Sequence, residues 1–145
     1  MPSGRHADVG EFAFTYFDSE EYRRWAINLQ VFPWLEATLR YNDIRTRRYS
    51  PYESFSGDQT YKDRGVDFKF RLTEESRWVP ETSVGIRDLA GTGLFAGEYV
   101  AASKRFGNFD FTAGIGWGYL GKNGNINNPF CELADEFCRR ESGFS

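Results

Sequence analysis

The chain has 145 residues, which is room for one ordinary domain. It is 40% hydrophobic and 18% aromatic, which is too apolar for a disordered tail. A formal net charge of -3 argues against a nucleic-acid partner, which would need a basic face. No stretch approaches the roughly 18 apolar residues that a membrane-spanning helix requires.

Apolar and polar residues alternate along most of the chain, which is typical of β-strands. In chain order, the first four runs place on one face Phe12, Phe14, Tyr16; Trp25, Ile27, Leu29, Val31; Leu35, Ala37, Leu39, Tyr41; and Val66, Phe68, Phe70, Leu72. The last two runs place on one face Thr82, Val84, Ile86; and Phe109, Phe111, Ala113, Ile115, Trp117, Tyr119. Between them, residues 98–106 form a run of ambiguous phase. The pattern predicts about seven strands, each about long enough to cross a bilayer when tilted.

The connections between these strands differ in length. The second, fourth and sixth, at residues 32–34, 73–80 and 106–108, are fairly short. The third, at 44–64, is long, polar and Tyr-rich, and the fifth, at 90–97, is Gly-rich. In an up-and-down meander these two sets lie at opposite ends, which is typical of outer-membrane barrels. The short first connection, at 18–21, does not follow this trend.

The aromatic residues are predicted to sort to the two ends of the strands. One set lies toward the long loops: Tyr16, Trp25, Tyr41, Tyr99, Trp117 and Tyr119. The other lies toward the short turns: Phe32, Trp34, Trp78, Phe106 and Phe109. Two such bands suit a lipid-facing sheet, because Trp and Tyr settle at the level of the headgroups. A soluble sandwich or barrel would show the same alternation without this sorting.

The opposite strand faces carry polar side chains of both charges. The candidate lumen-facing residues are Asn28, Gln30, Glu36, Arg40, Asp67, Lys69, Arg71, Arg87 and Asp110. We interpret them as a mutually neutralising network, although a close carboxylate pair could in principle cleave glycosides. We expect no catalytic residue, no cofactor and no metal. The single histidine, His6, argues against a His-based metal site or a Ser-His-Asp triad, and we expect it at the surface.

Three further features are ambiguous from the sequence. Residues 116–121 match the dinucleotide motif G-x-G-x-x-G, but the following Lys-Asn-Gly-Asn cannot open the helix that this motif needs. Cys131 and Cys138 form a small disulfide loop or remain two thiols. A long loop carries aromatic side chains that either stack on sugar rings or are simply solvated, namely Tyr49, Tyr52, Phe55 and Tyr61.

Several ordered blocks carry a family resemblance. They include residues 29–37 (LQVFPWLEA), 61–72 (YKDRGVDFKFRL) and 102–107 (ASKRFG), with further blocks at 2–5, 80–88 and 91–95. From Pro2 to about Phe130 the chain resembles the YjbH-like exopolysaccharide biosynthesis family, which includes the GfcD capsule proteins.

The resemblance implies a non-catalytic outer-membrane β-barrel protein of a Gram-negative bacterium, associated with exopolysaccharide or capsule biosynthesis and export. Its expected partners are outer-membrane lipid, extracellular polysaccharide and other export proteins. The chain is shorter than the family pattern and begins without a signal sequence, so we expect a fragment. Residues 1–130 would form part of the barrel, and 131–145 a truncated loop or tail.

The complete fold prediction is therefore all-β: an antiparallel up-and-down meander of about seven strands. As a fragment it would be an open, curved sheet with two exposed edges. The alternative is a soluble periplasmic barrel or sandwich that binds a sugar or a small apolar ligand.

Overall fold

The structure, a computed structural model, describes residues 2–121 and 127–139. One antiparallel sheet contains seven strands in sequential order: β1 (Phe12–Asp18), β2 (Tyr22–Phe32), β3 (Leu35–Arg48), β4 (Thr60–Thr73), β5 (Glu81–Arg87), β6 (Gly97–Phe106) and β7 (Phe109–Gly116). The sheet curls into an open half-barrel with β1 and β7 at its edges. The predicted all-β meander is confirmed.

The connections fall at the two ends as the alternating lengths predict. Residues 33–34, 74–80 and 107–108 join strands at one end, and residues 19–21, 49–59 and 88–96 join them at the other. The third connection is shorter than the predicted 44–64, because β3 and β4 have 14 residues each and stay paired as far as Ile44 with Tyr61 and Arg48 with Thr60. Backbone pairing continues there after the apolar alternation has ended. This loop also contains a short helix, α1 (Glu53–Ser56).

The two faces of the sheet have inverted polarity. The concave face holds the buried side chains, and most of these are polar, including Gln30, Arg40, Asp63, Lys69 and Ser83. The convex face presents large apolar side chains to the exterior, with Phe12 72%, Leu39 55% and Phe109 70% exposed. A water-soluble sandwich would place its apolar face inside, so this arrangement differs from an ordinary core.

No second sheet or helix within residues 2–121 and 127–139 covers the middle of the convex face. Ile27 and Leu39, paired across β2 and β3, are 44% and 55% exposed. The phase of the ambiguous run is now defined, because Tyr99, Ala101 and Ser103 are buried on the concave side while Val100 is exposed.

The segment after β7 differs from the loop that we expected. It contains a 3₁₀ helix (Pro129–Glu132) and α2 (Asp135–Arg139), joined by a disulfide between Cys131 and Cys138 with their Cα atoms 5.2 Å apart. The disulfide is thus formed. Residues 140–145 of the predicted tail lie outside the described residues. Among the described helices, none has the length and apolar character needed to cross a membrane.

Candidate functional site on the concave face

Alternation along the strands brings all nine of the predicted polar residues to the concave face. Thr38 and Asp67 are direct partners across β3 and β4, as are Glu36 and Lys69. Arg40 lies one step further along β3, opposite Gly65. Side chains that are far apart in the sequence, such as Glu36 and Lys69 at a separation of 33 positions, therefore meet on one polar surface.

The central contact of this surface is an ion pair between Arg40 and Asp67. The guanidinium Nε and Nη2 atoms donate to the two carboxylate oxygens, each at 2.9 Å. The Arg40 side chain is only 1% exposed, so it depends on this carboxylate for its charge balance. The backbone N–H of Asp88 also donates to Asp67, at 2.8 Å, and fixes the carboxylate from the other side.

Two further ion pairs extend the network toward the short-turn end. Lys69 Nζ lies 2.7 Å from a Glu36 oxygen, and Arg71 Nε donates to Glu81 at 3.0 Å. Glu36, Lys69 and Arg71 belong to the predicted polar set, whereas Glu81 was not among the predicted residues. Glu36 and Asp67, two carboxylates of the predicted polar set, are each held by a cation.

The N-terminal segment, residues 2–11, crosses this face, which the sequence analysis did not predict. Its Gly4 N–H donates to Ser103 Oγ at 3.0 Å, and Ser83 Oγ donates to the Gly4 carbonyl at 2.8 Å. Lys69 Nζ donates to the Arg5 carbonyl at 2.7 Å. The small residues Gly4, Ser83 and Ser103 are the sequence feature behind this contact, because they leave room for the N-terminal segment to pass.

Arg5 connects the segment to three carboxylates. Its guanidinium forms two hydrogen bonds with Asp110, at 2.7 and 3.0 Å, and further bonds with Glu75 and, at 3.3 Å, Glu81. The pKa of Glu75 is lowered to about 2, first because the backbone N–H of Arg105 donates to it at 2.8 Å and then because Arg5 does. Asp110 of the predicted set therefore serves to hold this segment.

The side chain of His6 is buried, and our prediction of a surface histidine was wrong. Its side chain is 0% exposed, and its Nδ1 lies 3.2 Å from the Gly4 carbonyl oxygen and 3.4 Å from Ser83 Oγ. Burial, and then the charge of Lys69, lowers the pKa of His6. The N-terminal segment contains no alternation of apolar residues from which the burial of His6 could be predicted.

A cavity of about 530 Å³ remains open on the concave face beside the network. Its walls include six of the predicted polar residues: Asn28, Glu36, Arg40, Asp67, Lys69 and Arg87. The other three are placed elsewhere on this face, with the Gln30 side chain donating to the Phe32 carbonyl at 2.7 Å. A cavity of this size with convergent polar groups is a general indicator of a binding site.

The loop at residues 88–96 folds over the long-loop end of the concave face. Asp63, which is 0% exposed, accepts hydrogen bonds from Asn42 Nδ2 at 2.9 Å and from Thr92 Oγ1. The Arg40 guanidinium carbon lies 5.8 Å from the centre of the Phe95 ring. Burial raises the pKa of Asp88 at the start of this loop.

The aromatic residues of the convex face form two rows, in part as predicted. Near the long loops, Trp25 lies between Tyr16 and Tyr41, at 5.8 and 5.3 Å between ring centres. Near the short turns, Trp34 lies between Phe32 and Phe70, at 5.5 and 6.3 Å.

Two aromatics predicted for the first band lie elsewhere. Tyr99 is buried on the concave face, where its ring helps to line the cavity. Tyr119 packs against Phe95 of the inward-folded loop, at 5.1 Å between ring centres. The apolar run had placed Tyr119 on the last strand, but β7 ends at Gly116 and Tyr119 lies in the turn that follows. For Tyr99, the ambiguous phase of β6 did not reveal the face.

The loop aromatics do not form a single cluster. Tyr49 and Tyr61 lie 6.4 Å apart between ring centres, and Tyr61 belongs to β4. Tyr52 and Phe55 are 72% and 79% exposed. Contact with sugar rings therefore stays a prediction. The glycine motif forms a turn closed by a bridge between Gly118 and Gly121, and residues 122–126, where a helix would have to begin, are outside the described residues.

The comparison with protein families decides the assignment. A family model described as "Exopolysaccharide biosynthesis protein YbjH" matches residues 1–145. The chain belongs to this family, the YjbH family. The resemblance inferred from the ordered blocks is thereby confirmed.

A YjbH relative supports the same assignment. The chain is 54% identical over 143 residues to a protein of Escherichia coli (strain K12) named "Uncharacterized lipoprotein YjbH". The match covers 99% of this chain and 20% of the relative, so the chain spans about one fifth of that protein's length. No solved structure matches the chain.

Proposed function

We propose that this chain forms part of the wall of an outer-membrane β-barrel that serves exopolysaccharide or capsule export, in a structural and binding role without catalysis. The description of the YjbH family names exopolysaccharide biosynthesis. The relative from a Gram-negative bacterium is named a lipoprotein, which supports a place in the cell envelope. The barrel and its export role are our inference from the surface of the sheet.

The inverted polarity of the sheet carries the proposal. Outward side chains such as Phe14, Leu29 and Phe111 are 60%, 42% and 58% exposed, whereas charged Arg40 and Lys69 are buried at 4% and 7%. In water, such an extended apolar surface is a site of association. In a bilayer, an apolar exterior around a polar interior is the stable arrangement of a barrel.

The two edges of the sheet support a larger assembly. In hydrocarbon, each unpaired backbone N–H or C=O of β1 and β7 would cost several kcal/mol. Membrane barrels avoid this cost by closing. Because the chain spans about one fifth of its relative, further strands of the longer protein would pair with these edges.

A matched pair of substitutions on adjacent residues of β2 tests the membrane orientation. Leu29→Asp places a charge on the convex face, whereas Asn28→Asp places the same side chain on the concave face. Asn28 Oδ1 accepts a hydrogen bond from Thr38 Oγ1 at 2.7 Å, which a carboxylate would still accept. We expect Leu29→Asp to lower the fraction of full-length protein assembled in the outer membrane, and Asn28→Asp to leave it near wild type.

Equal tolerance of both substitutions would contradict the barrel. Recovery of the protein from the periplasm without detergent would instead indicate the soluble sugar or ligand binder.

The absence of catalysis is a separate part of the proposal. It is supported by the ion pairs that hold Glu36 and Asp67. We expect no new reducing ends when purified full-length protein is incubated with the exopolysaccharide of its host. Cleavage that is abolished by Glu36→Gln or Asp67→Asn, with assembly intact, would show that the protein is a hydrolase.

A further inference from the structure

The cavity on the concave face carries an excess of positive charge. Four cationic side chains line it, those of Arg24, Arg40, Lys69 and Arg87, against the two carboxylates of Glu36 and Asp67. The chain as a whole has a net charge of -3, so the positive charge of the cavity is a local feature that the overall composition does not predict. A local concentration of one sign attracts ligands of the opposite sign.

The two carboxylates are already engaged by protein cations. Glu36 lies 2.7 Å from Lys69 Nζ, and Asp67 accepts two hydrogen bonds from Arg40. Arg24 differs from these residues, because it is exposed and forms no ion pair with any residue in the ranges 2–121 and 127–139. The Arg24 guanidinium can therefore bind an anion without breaking an existing ion pair.

Neutral polar groups in the same walls suit the hydroxyl groups of a sugar. Thr38 Oγ1 donates to Asn28 Oδ1 at 2.7 Å, which leaves the amide nitrogen of Asn28 to donate to a ligand. The Tyr99 ring forms an aromatic part of the wall. The volume of about 530 Å³ lies within the range of small-molecule sites.

We propose that the cavity binds an anionic sugar unit, with Arg24 as the main contact to its acidic group. That group is a carboxylate or a sugar-linked phosphate, since a guanidinium binds the oxygens of both in the same planar, paired geometry. This inference rests on the proposed function to the extent that a polysaccharide must reach the concave face.

The direct test is calorimetric titration of detergent-purified full-length protein with three probes. These are a galacturonate trimer, glucose 6-phosphate and the neutral trimer maltotriose. We expect at least one anionic probe to bind more tightly than maltotriose, and its affinity to fall at high salt because ions screen the attraction. Which anionic probe binds identifies the acidic group.

Substitution of Arg24 and of its neighbour Arg23 separates this site from general charge effects. Arg23 lies on the opposite face of β2. Its Nε atom is 3.2 Å from a carboxylate oxygen of Asp18, and its guanidinium carbon is 5.9 Å from the centre of the Trp25 ring. Arg24→Gln should weaken binding of the anionic probe about tenfold, because one charge-assisted contact is lost. Arg23→Gln removes the same charge and should leave the affinity unchanged, and Arg24→Lys should restore part of it.

Equal binding of anionic and neutral probes, no binding of any probe, or equal losses in Arg23→Gln and Arg24→Gln would overturn the inference. Outer-membrane assembly measured on the same variants separates it from the proposed function. Protein that assembles normally but does not prefer anions overturns this inference alone. Protein that prefers anions in detergent but does not reach the outer membrane overturns the proposed function alone.

Discussion

Gly85 allows the ring of Tyr99 to lie directly against the backbone of the neighbouring strand. The two residues are partners across β5 and β6, and both face the concave side. A Cβ atom on Gly85 would overlap the ring carbons and the hydroxyl of Tyr99. The glycine thus lets a large ring lie flat on the sheet, where it leaves the cavity beside it open.

We expect Gly85→Ala to destabilise the protein by about 1–3 kcal/mol, because the added methyl group forces the Tyr99 ring to move. Equilibrium unfolding in urea, followed by tryptophan fluorescence in lipid vesicles, measures this change. In a Tyr99→Ala background the same substitution should cost much less, since the overlapping ring is gone. Equal costs in the two backgrounds would show that the two residues are not coupled.

Asp67→Asn should be strongly destabilising, because it leaves the buried Arg40 guanidinium without its charge partner. Removing one member of a buried ion pair costs about 3–5 kcal/mol. The matched control is Asp18→Asn, whose two partners Arg23 and Arg45 have side chains that are 39% and 30% exposed. Solvent-accessible ion pairs of this kind are each worth about 0–1 kcal/mol. Similar shifts of the urea midpoint in the two variants would contradict the structural role assigned to Arg40.

The pH dependence of stability should report on Glu75. Its folded pKa of about 2 lies below the unfolded value of 4.5, so the unfolded chain binds more protons between these values. Glu75 therefore stabilises the fold fully above about pH 5, and this contribution is lost as the pH falls toward 2.

Glu75→Gln should accordingly be less stable than the wild-type protein at neutral pH, and the two urea midpoints should converge in acid. A difference that stays constant from pH 7 to the acid limit would show that the Glu75 pKa is not lowered by folding.

The N-terminal segment should leave the concave face when Gly4 gains a side chain. A Cβ atom there would lie 2.7 Å from the backbone nitrogen of Ser103 and would overlap the carbonyl oxygen of Glu81. Backbone atoms within a sheet cannot move aside cheaply, so Gly4→Val should displace the segment and expose His6.

The NMR titration of the single histidine measures this displacement. In the wild-type protein the pKa of His6 is lowered by burial, and in Gly4→Val it should rise toward the ordinary value of about 6.5. Ser3→Ala, one residue earlier, serves as the control and should leave the titration unchanged. A lowered pKa that persists in Gly4→Val would mean that the segment stays in place.

The strands and their two faces could be predicted from the sequence because alternation is a local property. The side chains of a strand point to opposite faces with a period of two, so runs such as 25–31 and 109–115 determine both the strand and its polarity. The charge pairs followed from the same phase, since Glu36 and Lys69 lie on polar faces of adjacent strands. Prediction failed where the contrast was weak, as in β6, where two adjacent alanines hid the inward position of Tyr99.

The sequence alone therefore determined the all-β meander, the ends at which its turns and loops lie, and the polar character of one face. Only the tertiary structure decided what crosses and covers that face. Gly4 meets Ser103 across 99 positions of the chain, and Arg5 meets Asp110 across 105. Such contacts depend on the curvature that brings distant strands around one concave surface, and no periodicity along the chain encodes that curvature.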